Sequence, residues 1–198
     1  MNLENMKNNS LLIILLVFVI GLFYLAFFWD GGGNLSRNQT NEKDLYAKFK
    51  VLASSGNSSC SAVFNDSISS MPDNARLQGS CCSPMNWHRY SEQIEGLRKY
   101  KSIKEIPKDP YDIDASLAKK LKSYYDAKLS DKEQKTYDFA MQNSEEKGPC
   151  CCKCWRWYVY GGLAKYLIKE KGFTGQKVTE VWNLSDGCGG EGDHVNHG

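Results

Sequence analysis

The sequence lacks the motifs of the common enzyme classes. Its 198 residues contain no Ser-His-Asp order of a hydrolase triad, no phosphate-binding loop and no dinucleotide-binding fingerprint. The net charge is only +2, and the lysines are spread along the chain rather than gathered in one patch. That distribution argues against nucleic-acid binding. These absences favour a protein that is not a conventional enzyme and has no nucleic-acid partner.

Two familiar cysteine motifs are also missing. There is no Cys-x-x-Cys-His sequence, so covalently attached haem is not indicated. Cys151 and Cys154 have Cys-x-x-Cys spacing, but Cys152 lies between them and no βαβ pattern accompanies them, which weakens a thioredoxin-like interpretation. The chain has 8 cysteines, which is more than ordinary usage but fewer than a small disulfide scaffold contains.

Four of these cysteines are concentrated at Cys150, Cys151, Cys152 and Cys154. Such density predicts soft-metal ligation, thiol redox chemistry or a disulfide knot. Alternating cysteines suit soft ions, because thiolates select Cu(I), Zn(II) and similar metals. Adjacent cysteines pair poorly with each other, so disulfides would have to run to cysteines elsewhere in the chain. All three interpretations remain open at this point.

A second pair, Cys81 and Cys82, precedes a predicted helix over Met85–Tyr100, with Ser83 as N-cap and Pro84 as the first helical residue. A helix N-terminus favours thiolate. His88, about one turn into that helix, is either a further metal ligand or a histidine that only hydrogen-bonds.

The Cys150–Cys154 run precedes a predicted central helix from about Lys153 to Lys171, which is apolar around much of its girth. Gly161-Gly162 inside it predicts that a neighbouring helix or backbone packs closely there. Two helix starts of this kind would bring five cysteines together, with Cys188 as a third contributor. The five are Cys81, Cys82, Cys150, Cys152 and Cys154. His194 and His197 lie on a glycine-rich C-terminal tail. This tail either folds over a metal held by the cysteines or is an end whose histidines take no part in binding.

The remaining pattern predicts an all-α domain, a small irregular bundle of five or six helices with a cysteine-rich centre. Residues 54–70 are interpreted as loop and 104–113 as extended and irregular, and Cys60 is expected to be a disulfide partner or a buried thiol. Four further helices are predicted, over Asp44–Ala53, Ala115–Lys128, from the Ser130 capping box to about Gln142, and Gly175–Leu184. Asp114 is the predicted N-cap of the second of these helices, and Thr174 is that of the last.

The N-terminal part contains 19 residues without a charge, Leu11–Trp29. At 1.5 Å per residue they span roughly 28 Å, enough to cross a membrane. The alternative is a cleaved signal peptide, but the run is long for one and no small-x-small site follows it. We expect residues 1–10 to be a short tail, 11–29 a single-pass anchor, 30–41 a linker and 42–198 an extracytoplasmic domain with its core at 79–188 and a flexible tail at 189–198. Lys7 before the run and Asp30 after it favour this orientation.

The run Pro149-Cys150-Cys151-Cys152-Lys153-Cys154 resembles the Pro-Cys-Tyr-Cys-Gly-Cys signature of the PCYCGC-motif proteins. Pro149 and the first, third and fourth cysteines match, and Tyr137–Ala140 with Asn143 resemble the helix before that motif. Cys151 and Lys153 depart from it, and no Gly-His follows soon after. The resemblance implies an exported, membrane-anchored bacterial protein with affinity for metal.

The preferred interpretation is a membrane-anchored protein that binds Cu(I) or Zn(II) for metal buffering, delivery or detoxification. Its expected metal ligands are Cys81, Cys82, Cys150, Cys151, Cys152, Cys154, Cys188 and His88. Another metal-handling or redox protein is a possible partner. The alternatives are a disulfide-stapled surface domain without chemistry, which is common among exported proteins, and a thiol-disulfide redox protein.

Overall fold

The computed structural model of the protein describes Val17 and residues 41–189. The chain divides into two units, Met1–Tyr46 and Ala47–Gly198, and the second contains all eight cysteines. The described elements are α1 (residues 41–55), α2 (Ala62–Ser67), β1 (Arg76–Gln78), α3 (Trp87–Leu97), β2 (Asp112–Asp114), α4 (Ala115–Ser123), α5 (Asp131–Asn143), α6 (Trp155–Lys171) and α7 (Gly175–Ser185), with 3-10 turns at Ile68–Ser70 and Arg98–Tyr100.

This mostly helical architecture confirms the predicted all-α class. Apart from Val17, the predicted anchor over residues 11–29 lies outside the described residues, as does the linker up to residue 40. Within the described part of the chain, no helix combines the length and apolar character needed to cross a membrane.

Helix α6 is the centre of the domain, because its residues are buried on almost every side. It packs closely against α4: a Cβ added at Gly162 would lie 1.9 Å from the carbonyl oxygen of Leu121. At Gly161 an added Cβ would lie 2.9 Å from the Tyr125 ring. The two glycines therefore permit a close helix–helix approach, as the sequence predicts.

Helices α5 and α7 pack against each other on another side of α6. The Tyr137 ring of α5 meets the Trp182 ring of α7 edge-on at 5.5 Å between centroids. Trp182 Nε1 also donates a hydrogen bond to the carbonyl oxygen of Tyr160 in α6, at 3.0 Å. These contacts hold the C-terminal end of α7, and the chain that follows it, beside the start of α6.

Strands β1 and β2 form a short antiparallel pair in which Leu77 lies opposite Ile113. Both side chains are buried, so the pair ties the chain before Cys81 to the core. The sequence prediction missed this sheet. Three residues per strand are too few to show an alternating pattern.

Three local predictions are wrong. Residues 54–70 are not all loop, because α2 begins after Ser61, whose hydroxyl accepts a hydrogen bond from the Phe64 amide. Helix α3 begins at Trp87 with Asn86 as its N-cap, so Ser83 does not cap it and Cys81 and Cys82 do not lie at a helix N-terminus. Helix α4 ends at Ser123 rather than Lys128.

The other caps are confirmed. Ser130 and Glu133 form the predicted capping box at the start of α5. Thr174 accepts a hydrogen bond from the Lys177 amide at the start of α7. Asp114 occupies the N-cap position of α4, although its side chain makes no capping hydrogen bond there.

Candidate metal centre

All eight cysteines are free thiols and their sulfurs form one connected group. Four segments that are distant in sequence supply them. Cys60 precedes α2, Cys81 and Cys82 follow β1, the Cys150–Cys154 run precedes α6, and Cys188 follows α7. The centre therefore depends on the tertiary fold rather than on one local motif.

The outer sulfurs belong to Cys60, Cys82, Cys151 and Cys152. Two of these residues, Cys82 and Cys151, are exposed, and the other two are half-buried. Cys82 Sγ lies 2.9 Å from that of Cys60 and 3.8 Å from those of both Cys151 and Cys152. Cys152 Sγ lies 3.6 Å from Cys60 Sγ, which completes the outer group.

The inner sulfurs belong to Cys81, Cys150, Cys154 and Cys188. The last three of these residues are buried, and Cys81 is half-buried. Cys150 Sγ lies 3.1 Å from Cys188 Sγ and 3.6 Å from Cys154 Sγ. Cys154 Sγ lies 4.0 Å from Cys81 Sγ. The inner and outer groups also meet, since Cys151 Sγ is 3.0 Å from Cys188 Sγ.

The separations of 3.6–4.0 Å suit ligands that share a metal ion, whereas the contacts of 2.9–3.1 Å would have to lengthen on ligation. With a Zn–S bond of about 2.3 Å, tetrahedral geometry places two sulfurs on one ion about 3.8 Å apart. Four overlapping groups of three sulfurs, each with all members within 4.8 Å of one another, together include every cysteine of the chain. The cluster could therefore hold metal.

Backbone contacts fix Cys188 against the first cysteine pair. The amides of Cys82 and Ser83 donate to the carbonyl oxygen of Cys188, at 3.3 and 2.9 Å. Gly189 has a φ of 83°, and an added Cβ there would lie 2.1 Å from the carbonyl oxygen of Ser83. Glycine is therefore required where the chain after α7 crosses the Cys82–Ser83 segment.

The guanidinium of Arg156 lies beneath the cluster. Arg156 is fully buried at 0% exposure, and its Nη atoms donate to the carbonyl oxygens of Pro110 and Gly79, at 2.5 and 2.9 Å. An added Cβ at Gly187 would lie 2.1 Å from Nη1, and the Gly187 carbonyl oxygen is 3.9 Å from Cys81 Sγ. The Gly187 backbone therefore lies close both to the positive charge and to an inner sulfur.

The sulfurs differ in their affinity for protons. Hydrogen bonds from Cys150, Cys154 and Cys188 hold the pKa of Cys81 well below its usual range, and the charge of Arg156 acts in the same direction. A hydrogen bond from Cys150 lowers the pKa of Cys152 to about 6. Burial raises the pKa of Cys60 to about 12. Near neutral pH the metal-free cluster therefore contains both thiolates and thiols, and metal binding would release protons.

The structure brings together all seven cysteines that the sequence prediction selected. The expected proximity of Cys81 and Cys82 to the Cys150–Cys154 run is confirmed by the sulfur distances. Cys60 was missed: it belongs to the outer group, although no nearby residue type in the sequence indicates this. An even number of cysteines was the only available hint.

The histidines fall outside this set. His88 is 83% exposed and its Nε2 atom lies 3.1 Å from the carboxylate of Glu92, so it belongs to none of the four sulfur groups. His194 and His197 lie outside the described residues.

No protein-family model matches the chain, and searches of curated proteins and of solved structures also found no match. The sulfur cluster and its surroundings are therefore the features of the chain that indicate a function.

Proposed function

We propose that the protein binds a soft metal ion, Cu(I) or Zn(II), at its cysteine cluster and serves in metal buffering, delivery or detoxification. The observation that carries this proposal is the convergence of all eight sulfurs into one group. No pairwise use of the cysteines requires that arrangement, because each disulfide joins only two sulfurs.

Cys82 illustrates the difference between ligation and pairing. Three other sulfurs lie within 3.8 Å of its own, those of Cys60, Cys151 and Cys152. A disulfide would join Cys82 to one of these neighbours and would not explain why the other two sulfurs lie so close. A thiolate bound to metal is expected to have several such neighbours, since every ligand of one ion lies close to the others.

The donor set favours a soft metal. In the described part of the chain, the four groups that could hold an ion consist of cysteine alone, without a histidine or carboxylate. Thiolates select Cu(I) and Zn(II) over Mg(II), Ca(II) and Mn(II), which prefer oxygen ligands. Exposed Cys82 and Cys151 offer a route for ligand exchange with another metal-handling protein.

The location is proposed from the sequence. The 19 uncharged residues of Leu11–Trp29 support a single-pass anchor. The resemblance of Pro149–Cys154 to the PCYCGC-motif proteins supports export of the cysteine domain. Topology reporters fused after residue 198 should be active outside the cytoplasm and inactive inside it. The reverse pattern would overturn the proposed orientation without affecting the metal site.

Metal content tests the central proposal. Full-length protein, purified without reductant or chelator from cells supplied with copper or zinc, should contain metal and show few oxidised thiols. Replacing the exposed His88 with alanine should leave the metal content unchanged, whereas Cys82→Ser should lower it. Metal-free protein with its eight cysteines in four disulfides would contradict the proposal and support a stapled domain.

One observation favours a second function, thiol-disulfide exchange. Cys151 is exposed and its sulfur lies 3.0 Å from that of buried Cys188. The Cys151 thiolate would attack a partner's disulfide, and the Cys188 thiolate would then displace the partner as a dithiol, leaving a Cys151–Cys188 disulfide. A Cys188→Ser variant should accumulate a mixed disulfide through Cys151. Repeated failure to trap one would count against this function.

A further inference from the structure

We propose that the eight sulfurs form a site for four Cu(I) ions in one ring, with the outer sulfurs as bridges and the inner sulfurs as terminal ligands. This inference rests on the proposed soft-metal function and specifies its stoichiometry and metal. Its basis is the way in which the four sulfur groups overlap.

Each of the four groups contains two outer sulfurs and one inner sulfur. The groups are Cys60/Cys152/Cys154, Cys60/Cys81/Cys82, Cys82/Cys151/Cys188 and Cys150/Cys151/Cys152. Every outer sulfur belongs to two groups, and every inner sulfur belongs to one. With one ion in each group, each ion would share one outer sulfur with each of its two neighbouring ions. The four ions and the four shared sulfurs would therefore form a closed ring.

The inner sulfurs follow the same circular order. In the order of the groups they belong to Cys154, Cys81, Cys188 and Cys150. Successive contacts join Cys154 to Cys81 at 4.0 Å, Cys188 to Cys150 at 3.1 Å and Cys150 to Cys154 at 3.6 Å. These three contacts join the four inner sulfurs into one continuous chain. The inner sulfurs therefore follow the circular order in which the outer sulfurs are shared.

Three sulfurs per ion favour Cu(I) over Zn(II). Cu(I) is stable with three thiolates in a trigonal arrangement, and thiolates readily bridge two such ions. A structural zinc ion takes four ligands in a tetrahedron, so a group of three would leave it incomplete. Soft sulfur donors also rank Cu(I) among their preferred metals.

Arg156 would offset part of the charge of such a cluster, although the half-buried Asp186 beside Cys188 opposes it. Eight thiolates and four monovalent ions leave four negative charges, which need compensation in a partly buried site. Among the described residues no carboxylate forms an ion pair with Arg156, whose buried guanidinium lies on the inner side. Its charge interacts with Cys81, Cys150 and Cys188, three of the four inner sulfurs. The buried Nε of Arg156 has no hydrogen-bond partner in the described structure.

Burial differs between the inner and outer sulfurs as expected if ions enter from the outer side. The inner cysteines are mostly buried, whereas the outer cysteines include exposed Cys82 and Cys151. Ions would enter from the outer side and acquire a terminal ligand beneath. Delivery to a partner would begin at the bridging sulfurs, because these are the ones that a second protein can reach.

An anaerobic titration of reduced full-length protein with Cu(I), held by a competing chelator, tests the ring. Native mass spectrometry should show four Cu(I) per chain forming with few intermediates, and X-ray absorption should show three sulfurs around each copper together with copper–copper scattering. A titration with Zn(II) serves as the comparison. One or two separate copper ions without metal–metal scattering would overturn the ring while leaving the soft-metal function intact.

Matched serine variants test the two roles of sulfur. Cys151→Ser removes a bridge and should reduce the bound copper by about two ions, whereas Cys188→Ser removes a terminal ligand and should reduce it by at most one. Equal losses in the two variants would overturn the assignment of bridges. Circular dichroism checks that both variants are folded, and His88→Ala should retain all four ions. A wild-type protein that binds no soft metal would instead contradict the proposed function itself.

Discussion

Arg156 places a permanent positive charge beneath the inner sulfurs, where no water reaches it. The low pKa of Cys81 gives Arg156 some opposite charge in the metal-free protein, but the two carbonyl oxygens that it contacts satisfy its hydrogen bonds only in part. Further thiolates around metal ions would add to that negative charge. The residue is therefore better suited to the metal-loaded protein than to the metal-free one.

Replacing Arg156 with methionine should affect the two forms differently. The substitution leaves the carbonyl oxygens of Gly79 and Pro110 without donors, so the metal-free protein should lose about 1–3 kcal/mol. The metal-loaded protein should lose more, because the cluster also loses its compensating charge. Thermal denaturation of both forms would show a smaller gain from metal in the variant.

Arg89→Met is the control for that experiment, since Arg89 pairs with Glu145 and the Asn183 carbonyl oxygen rather than lying beneath the cluster. It should lower the stability of both forms equally. An equal loss in the two forms of Arg156→Met would mean that the arginine is only structural.

Asp112 predicts a dependence of stability on acid pH. Burial acts to raise its pKa, but Arg76 at 2.8 Å and Lys48 at 2.9 Å outweigh burial and hold the pKa below its usual range. Because the folded state binds this proton less tightly, the contribution of Asp112 is present above the unfolded pKa of about 3.9 and is lost as pH falls below it.

The free energy of unfolding of the metal-free protein should accordingly decrease as pH falls through this range. Urea denaturation between pH 3 and 6 (a window set by the ordinary carboxyl pKa of about 4) should show a shallower decrease for Asp112→Asn. Asp73→Asn is the comparison, because its carboxylate is exposed. Identical slopes for wild type and Asp112→Asn would contradict the prediction.

Among the elements, the α4–α6 contact is the one most sensitive to a single methyl group. Gly162→Ala would place a Cβ 1.9 Å from a backbone carbonyl oxygen of α4, which no side-chain rotation can relieve. The helices must separate, so we expect a loss of about 2–3 kcal/mol measured by denaturation. Gly172→Asn, at the end of α6, should cost much less, because φ is 63° and nothing lies within 4 Å of an added Cβ. Similar losses at both positions would show that the close approach is not what the glycine provides.

Sequence patterns predicted the elements that carry their own local signals. Three such features can be recognised from a few neighbouring residues, and the structure contains each of them. They are the capping box at Ser130, the N-cap at Thr174 and the apolar residues on most sides of α6. The start of α3 was misplaced because Ser83-Pro84 is also a good start signal, whereas the Asn86 side chain is the one that accepts the Arg89 amide. Competing local signals are decided by tertiary contacts that the sequence does not display.

The candidate centre was predictable only in part for the same reason. The cysteine run and the Cys81–Cys82 pair are dense enough to indicate a shared site. Cys60 reaches it because α2 and the turn at Ile68, whose side chain is fully buried, pack onto the core. A six-residue helix has too little periodicity to be found in advance, so its position beside the sulfurs was not predictable.

At the scale of the whole molecule, metal would join four chain segments that are distant in sequence. A ligand that binds only the folded state stabilises it by an amount that rises with the logarithm of its concentration relative to its Kd. That stabilisation should be greatest in the segments that carry the cysteines, rather than in the middle of α5, which carries none.

Hydrogen exchange with and without metal measures this distribution. Loading with Cu(I) should slow exchange at the Cys82 and Ser83 amides, which donate to the carbonyl oxygen of Cys188, by about tenfold or more. Amides in the middle of α5 that exchange by local opening should change much less. Uniform protection, or protection confined to α5, would contradict the assignment of the metal to the sulfur cluster.

The spacing of the cysteines along the chain has a consequence for biogenesis. Cys188 is the last cysteine to be synthesised, and Cys60 is separated from it by α2 to α7. Contacts between such distant residues form late, because a long loop must close first. Until then the Cys150–Cys154 run is exposed, and premature metal capture or oxidation would trap a wrong set of ligands. If the cluster binds metal as proposed, correct assembly would require that metal arrive after the chain has folded, so the order of events would matter as much as the affinity of the finished site.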